Sequence, residues 1–441
     1  MSYQRPTRLM NRDFLLLWQG QFVSMLGSQA FSVAMIFWIK RQTDSASLLG
    51  LGMMSQWVPA ILLGPFGGTL ADRMSRRQIL ILADVVRGLA AIALAGLVIL
   101  VPGRSGTILF GLLVLSAIMG VCDAFFRPAI SASIPDLVPG EEVARANSLN
   151  RVALDVSTFL GQGTGGVLFR IIGPGVLFFV DGVTYLLSAL AESLIRLPPP
   201  PPILRKATWR EAGADFWREL KIGLRYVGAR RGLRYLFYVS PLDSFFMITI
   251  VVLLPFFVED FLHVKPDWYG FLVAAFGGGS FTGSILAGAT NLTGRRRMVP
   301  YLLCAVGFGA SAILFGMVHS PWTAMAVLFA AGTMGGFNTI HALSLAQLST
   351  PPELRGRVLG LFETLGLSTM PIAAGTAGIV ADLLHRDIPR VYFGCGIALI
   401  AVALFQAGSG EVREFLAYEA PPAPPEPPEK TAVVAPAAPP A

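Results

Sequence analysis

Twelve apolar runs, each about 20 residues or longer, dominate this 441-residue chain and leave few folds open to it. They lie at 14–38, 48–71, 78–101, 106–128, 146–170, 174–196, 235–258, 268–290, 298–318, 321–345, 357–383 and 389–409. A helix needs about 20 mostly apolar residues to cross a hydrocarbon layer roughly 30 Å thick. Charged residues make up 14% of the chain, against about 25% in a soluble domain. The runs are rich in Gly and Leu without period-two alternation. Backbone groups in lipid must be satisfied within the segment, so the runs predict helices and not a barrel. The expected fold class is an all-α integral membrane protein with twelve transmembrane helices.

The first run follows "MSYQRPTRLMNRDF". The apolar stretch from Phe14 to Ile39 exceeds the core of a secretory signal and no small-residue cleavage site follows it, so it is read as the first helix. Cys122, Cys304 and Cys395 fall inside apolar runs without CxxC spacing, which argues against a disulfide frame or a zinc site. A net charge of +7 suggests nucleic-acid binding in a soluble protein, but here the cations sort by side. Alternate loops carry Arg5, Arg8 and Arg12; Arg73, Arg76 and Arg77; Arg145 and Arg151; a dense set from Arg196 to Arg234; Arg295, Arg296 and Arg297; and Arg355 and Arg357. The opposite loops hold Lys40, Arg41, Arg104, Arg170, Lys265, Arg386 and Arg390. The positive-inside rule then places both termini and the hairpin between the second and third runs on the cytoplasmic side.

Residues 1–196 and 235–409 each contain six runs. Between them, 197–234 opens with five prolines and continues with Phe216, Leu220, Leu224 and Val227 on one helical side and Arg218, Lys221 and Arg225 on another. That pattern fits a helix lying on the inner membrane surface or a solvated linker helix. A shift of 220 residues sets Gly68, Arg76 and Arg77 over Gly288, Arg296 and Arg297; a shift of 212 sets "GTGG" (163–166) over "GTAG" (375–378) and Arg145 over Arg357. Six is even, so the two bundles form a parallel repeat, an arrangement used by transporters. Residues 410–441, with "PPAPPEPPEK", read as a disordered cytoplasmic tail.

"GGTLADRMSRRQIL", between the second and third runs, carries Gly68, Asp72, Arg73, Arg76 and Arg77. Spacing and position resemble the signature hairpin of the major facilitator superfamily of secondary transporters, with Ser75 where that family often has Gly. The resemblance covers about residues 10 to 409. "NRDFLLLWQGQFVSMLGSQ", "FFRPAISASIPDLVP", "FVDGVTYLLSAL" and "PPELRGRVLGL" are similar to its bacterial drug-efflux and enterobactin-exporter-like branch. "GQGTGG" resembles the antiporter motif of the fifth helix, with Gln162 where the family usually has Pro. Physically, a two-state carrier must seal its cytoplasmic side in one state and release it in the other. Asp72 near a helix end can meet a helix N-terminus or an arginine, and Arg76 and Arg77 can anchor the loop at the anionic leaflet or serve as topology markers. Gly68, Gly161, Gly165 and Gly166 suit close helix packing.

Ionisable groups inside lipid are costly and are functional candidates. Asp84 and Arg87 share a face of the third run, as do Asp123 and Arg127 on the fourth. These four are read as a cytoplasmic gate network, with static ion pairs as the alternative. Asp155, Asp181, Asp243 and Glu363 have no obvious partner on their own helices. Low dielectric disfavours a charged carboxylate, so each is a candidate for proton coupling or for a cationic substrate, or else a hydrogen bond between helices. Asn338 either lines the cavity or bonds a neighbouring helix, while Glu192, Asp382 and His341 read as interfacial. Phe245, Phe246, Phe256 and Phe257 pack or contact an apolar substrate.

The leading reading is a monomeric, proton-coupled exporter of amphipathic small molecules working by alternating access, with protons and membrane lipids as its other partners. A lipid or lysophospholipid transporter, an importer and a non-transporting sensor are the alternatives. No catalytic residue, metal or cofactor is expected: the chain has no Walker loop, HExxH or GxSxG, and its four histidines are dispersed.

Overall fold

In the computed structural model, residues 8–197, 209–290 and 292–418 are described, with backbone alone at 65, 68–73, 209–216, 219, 220, 231, 352 and 353. The described residues form thirteen α-helices and no strand. The first five are α1 (Arg12–Thr43), α2 (Ala46–Arg73), α3 (Arg76–Leu100), α4 (Ser105–Leu137) and α5 (Val143–Ser193). After the linker come α6 (Trp209–Ala229), α7 (Arg231–Phe256) with a π-helical extension at Phe257–Phe261, α8 (Asp267–Thr290) and α9 (Gly294–Met317). The last are α10 (Pro321–Leu348), α11 (Pro352–Leu383), α12 (Ile388–Gly408) and α13 (Gly410–Leu416). Local chemistry sets several ends. The Asn11 side chain accepts from the amides of Asp13 and Phe14 to start α1, and Asp44 closes it in the left-handed conformation.

Among the described residues eleven helices are long and apolar enough to span a membrane, against twelve apolar runs in the sequence. The difference lies in α5, whose 51 residues would extend about 75 Å if straight, more than twice the hydrocarbon thickness. Gly173, at φ 77° and followed by Pro174, breaks it; only glycine adopts that conformation without strain. Contacts to α1 show that the chain reverses there. Moving along α1, Trp18 bonds the Leu149 carbonyl, Ser157 bonds the Phe22 carbonyl and Gln162 bonds Gln29, so the first arm runs with α1. Gln21 meets Glu192, Ser28 meets Asp181 and Phe31 packs on Phe178, so the second arm runs against it. The α5 segment is two crossings.

The first half packs α1 and α3 on α5 and α2 on α4; the second packs α8 on α10, α9 on α12 and α7 on α11. Between α8 and α10 the fit is backbone to backbone: a Cβ at Gly283 would stand 1.9 Å from the Thr333 carbonyl oxygen, and one at Gly336 2.1 Å from that of Ser280. Small residues bring membrane helices together in this way. Outward-facing Phe110, Phe281 and Phe405 are largely exposed, as suits a surface wetted by lipid.

One sequence expectation needs correction here. Residues 410–416 are not tail but α13, because Val412 and Leu416, one turn apart, bury against the second half and Arg297 bonds the Leu416 and Tyr418 carbonyls; residues 419–441 lie outside the described residues. In the linker, 198–208 also lie outside, whereas α6 packs on α11, α7 and α2, burying Val227 and leaving Leu224 half-exposed. The side chains of Phe216 and Leu220 are not among those described.

Candidate functional site

The two halves meet on the face opposite the N-terminus, termed the far face. The basic residues of this face, sparse in the sequence, are largely engaged between halves. Lys40 Nζ lies 3.0 Å from Glu259 Oε2 and 2.7 Å from Asp260 Oδ1, and Arg41 Nη2 lies 3.1 Å from Glu259 Oε1. Arg170 Nη2 is 3.1 Å from Asp267 Oδ2, and Arg386 pairs with Asp44. Asp382 of α11 accepts from the Ser45 hydroxyl (3.0 Å) and from the amides of Ala46 (3.1 Å) and Ser47 (2.9 Å). It thus caps the N-terminus of α2 from the other half, where unpaired amides and the helix dipole favour a carboxylate. These five ion pairs join the two halves on one face.

The clamp obeys the internal repeat. Gly166 would place a Cβ 2.4 Å from the Pro266 carbonyl oxygen; Gly378, 212 residues on, would place one 2.4 Å from that of Ala46, 220 residues before Pro266. Gly270 and Gly50, also 220 apart, approach the carbonyls of Gly163 and Ala374, each at 2.3 Å. Arg170 on Asp267 and Asp382 on Ser47 occupy corresponding positions under the same two offsets. Lys40 and Asp260 correspond to each other and bond each other, which puts that pair on the approximate two-fold axis. The α5–α8 and α2–α11 seams are therefore one contact used twice. Asp382→Ala removes the cap, worth about 1 kcal/mol. Hydrogen–deuterium exchange at the Ala46 and Ser47 amides should quicken about fivefold; unchanged exchange would show that the cap holds nothing.

A second polar cluster lies inside the first half. Arg87 Nη2 is 2.8 Å from Asp123 and Nη1 is 3.2 Å from Asp84, with the guanidinium over the rings of Phe126 and Tyr185. Beside it, Ser28 Oγ lies 2.7 Å from Tyr185 Oη and 3.3 Å from Asp181 Oδ1. Gln21 donates to Glu192 at 3.0 Å. Asp84 Oδ2, Asp181 Oδ2, Glu192 Oε2 and Ser188 Oγ are buried without a hydrogen-bond partner. Three buried acids, Asp84, Asp181 and Glu192, and the partly exposed Asp123 thus surround one guanidinium between α1, α3, α4 and α5.

The structure brings Asp84, Arg87 and Asp123 together and adds Asp181, but Arg127 is exposed on α4 and Asp123 reaches across to Arg87 instead. Asp155 has a partner on its own helix after all, Arg151 at 3.2 Å, and both are exposed. Glu363 is exposed on α11. Asn338, with its amide turned to satisfy both neighbours, donates to the Tyr301 carbonyl and accepts from the Ala305 amide, each at 3.2 Å, so it bonds the neighbouring helix. Glu192 and His341 are buried, the latter against Phe337, and Asp382 is the cap described above. Phe257 is packed among Phe261, Phe315 and Tyr392.

In the hairpin, Arg76 bonds the Ala132 carbonyl and Asp136, and Arg77 the carbonyls of Glu192 and Ser193, so both tie the loop to helix ends of their own half. The side chains of Gly68, Asp72 and Arg73 lie outside the described residues. Gly161 and Gly165 face Gln29 and Val33 of α1, Gly166 faces α8, and Gln162 donates to Gln29 at 2.7 Å. Of the clamp residues, Lys40 and Arg170 were read from the sequence only as sparse loop cations and Glu259, Asp260 and Asp267 were missed, although the two repeat offsets pair several of them.

Two six-helix bundles joined along paired seams, with charge buried inside one bundle, define a multi-pass membrane transporter. The model of the Major Facilitator Superfamily matches residues 17–375, and the chain belongs to that family. Macrolide efflux protein A of Streptococcus pyogenes is 24% identical over 408 residues, covering 91% of this chain and 96% of the relative. The enterobactin exporter of Shigella boydii is 24% identical over 399 residues, covering 89% and 90%. Among solved structures, a D-xylose–proton symporter superposes with a TM-score of 0.67 at 16% identity, covering 89% of this chain and 96% of its own. The family is one of transporters, not enzymes, and its members carry small molecules.

Proposed function

We propose that this protein is a proton-coupled exporter of amphipathic small molecules in the bacterial inner membrane, acting as a monomer. Residues 1–196 and 235–409 act as its two moving bundles and 197–234 as the tether. The arginine-rich loops lie on the N-terminal face, which makes that face cytoplasmic and the clamped far face external. With the outside sealed, the state described is the one a cytoplasmic substrate would enter. Both efflux-type relatives carry names consistent with outward transport.

The observation that carries the reading is the surplus of buried carboxylates around Arg87. Asp181 is fully buried with one oxygen unpartnered, next to a guanidinium already held by two acids. An acid so placed can hold a proton in one state and lose it when rocking of the bundles changes its neighbours. In proteoliposomes, an imposed pH gradient should drive uptake of an amphipathic probe by wild type. Asp181→Asn should abolish the gradient-driven component while leaving downhill exchange. Gradient-driven transport by Asp181→Asn at the wild-type rate would remove Asp181 from coupling, and no gradient-driven transport by wild type would remove the exporter reading.

A further inference from the structure

The second half contains an apolar cavity of about 170 Å³ between α7, α8, α9 and α10, directly beneath the clamp. Met247, Val251, Phe276, Phe308 and Leu328 are among its walls, and Gln162 of α5 closes it from the first half, so the cavity borders the interface between bundles. An apolar cavity of about 150 Å³ accommodates benzene, so this one has room for a single aryl group. Its wall on α7 includes 247, 250, 251 and 254. Asp243 continues that stripe one turn, about 6 Å, toward the N-terminal face. Asp243 is partly exposed, and no hydrogen bond or ion pair to it is formed by the described residues; the Tyr235 and Tyr301 side chains are its titratable neighbours. The acids of the first half are different: Asp84 and Asp181 are fully buried within their bundle.

We propose that the cavity and Asp243 together form a binding site for lipophilic amines, with an aryl group in the cavity and the ammonium on the Asp243 carboxylate. The inference rests on the reading of the protein as a carrier of amphipathic molecules and names the class it takes. The spacing favours an ammonium separated from the ring by three or four methylenes. A carboxylate at the cavity mouth repels aryl carboxylic acids, and a neutral aryl alcohol lacks the charge-assisted bond.

Equilibrium binding to the full-length protein in detergent tests this without requiring transport. The probes are 4-phenylbutylamine and its neutral analogue 4-phenylbutanol. Wild type should bind the amine about tenfold or more tightly than the alcohol. Asp243→Asn should erase that preference while leaving alcohol binding within about twofold. Leu328→Ala, which enlarges the cavity, should turn preference toward 4-(1-naphthyl)butylamine while Asp243 still selects the charge. Equal binding of amine and alcohol by wild type, or an unchanged amine preference in Asp243→Asn, overturns the proposal, as does a Leu328→Ala protein with wild-type ring preference. If amine binding follows this pattern while no gradient drives transport, the proton-coupled reading fails and the site stands.

Discussion

Lys40→Asp is expected to unseal the far face. The Lys40 side chain is 6% exposed and lies between Glu259 and Asp260 with the Phe256 ring 5.1 Å from its ammonium. Reversing its charge would leave three carboxylates facing one another, with the position of Lys40 and Glu259 largely buried and Asp260 nearly half exposed. Removing one partner of a buried ion pair typically costs about 3–5 kcal/mol. The two states of a switching protein differ by only a few kcal/mol, and each 1.4 kcal/mol is about tenfold in population. The equilibrium should therefore invert. Spin labels at Gln42 and His385, on opposite sides of the clamp, should move from a short distance distribution to a long one in pulsed dipolar measurements. Lys40→Asp combined with Asp260→Lys should bring the short distance back, because the two positions correspond under the repeat and face each other. A short distribution in the single variant would show that the clamp is not what holds this face.

Arg87→Met should have the largest effect on stability. Arg87 is 3% exposed, bonded to Asp84 and Asp123 and stacked on Phe126 and Tyr185. Methionine keeps much of the volume and removes the charge, leaving the fully buried Asp84 and the partly exposed Asp123 without their cation, at a cost of about 3–5 kcal/mol, the larger share from Asp84. Thermal unfolding in detergent should fall sharply, and Arg87→Met with Asp84→Asn and Asp123→Asn should recover most of the loss. Arg151→Ala, which breaks an exposed pair with Asp155, should change stability by less than about 1 kcal/mol. Equal losses in Arg87→Met and Arg151→Ala would refute the assignment of Arg87 as the centre of the buried network.

These variants probe the charges that the sequence sorted least well. Asp84 and Arg87 were legible as partners because they are three residues apart on one helix, a spacing that fixes proximity locally. The same rule suggested Arg127 for Asp123 and missed Arg151 for Asp155. In the first case α3 offered Asp123 a closer cation; in the second the partner was at the right spacing and the helix simply used it. Glu192 and His341 read as interfacial because distance from a helix end says little about depth when neighbouring helices extend past it. Gln162, unusual for the family motif that it interrupts, is explained only by Gln29 on α1.

The sequence by itself determined the helical class, the twelve crossings, the two halves and the side preference of the arginines. Each of these follows from local rules: a lipid-crossing segment must satisfy its own backbone, so length and apolar content suffice to mark it. It also contained the repeat that relates the two seams. The tertiary structure alone decided which charges meet. The clamp joins residues separated by 97 to 342 positions along the chain; helical periodicity does not reach across such distances, and the repeat relates positions without saying which of them touch. Bundle packing selected Lys40, Asp260, Asp382 and Arg170 from among many terminal charges, because there the glycine seams bring the two halves within hydrogen-bonding reach.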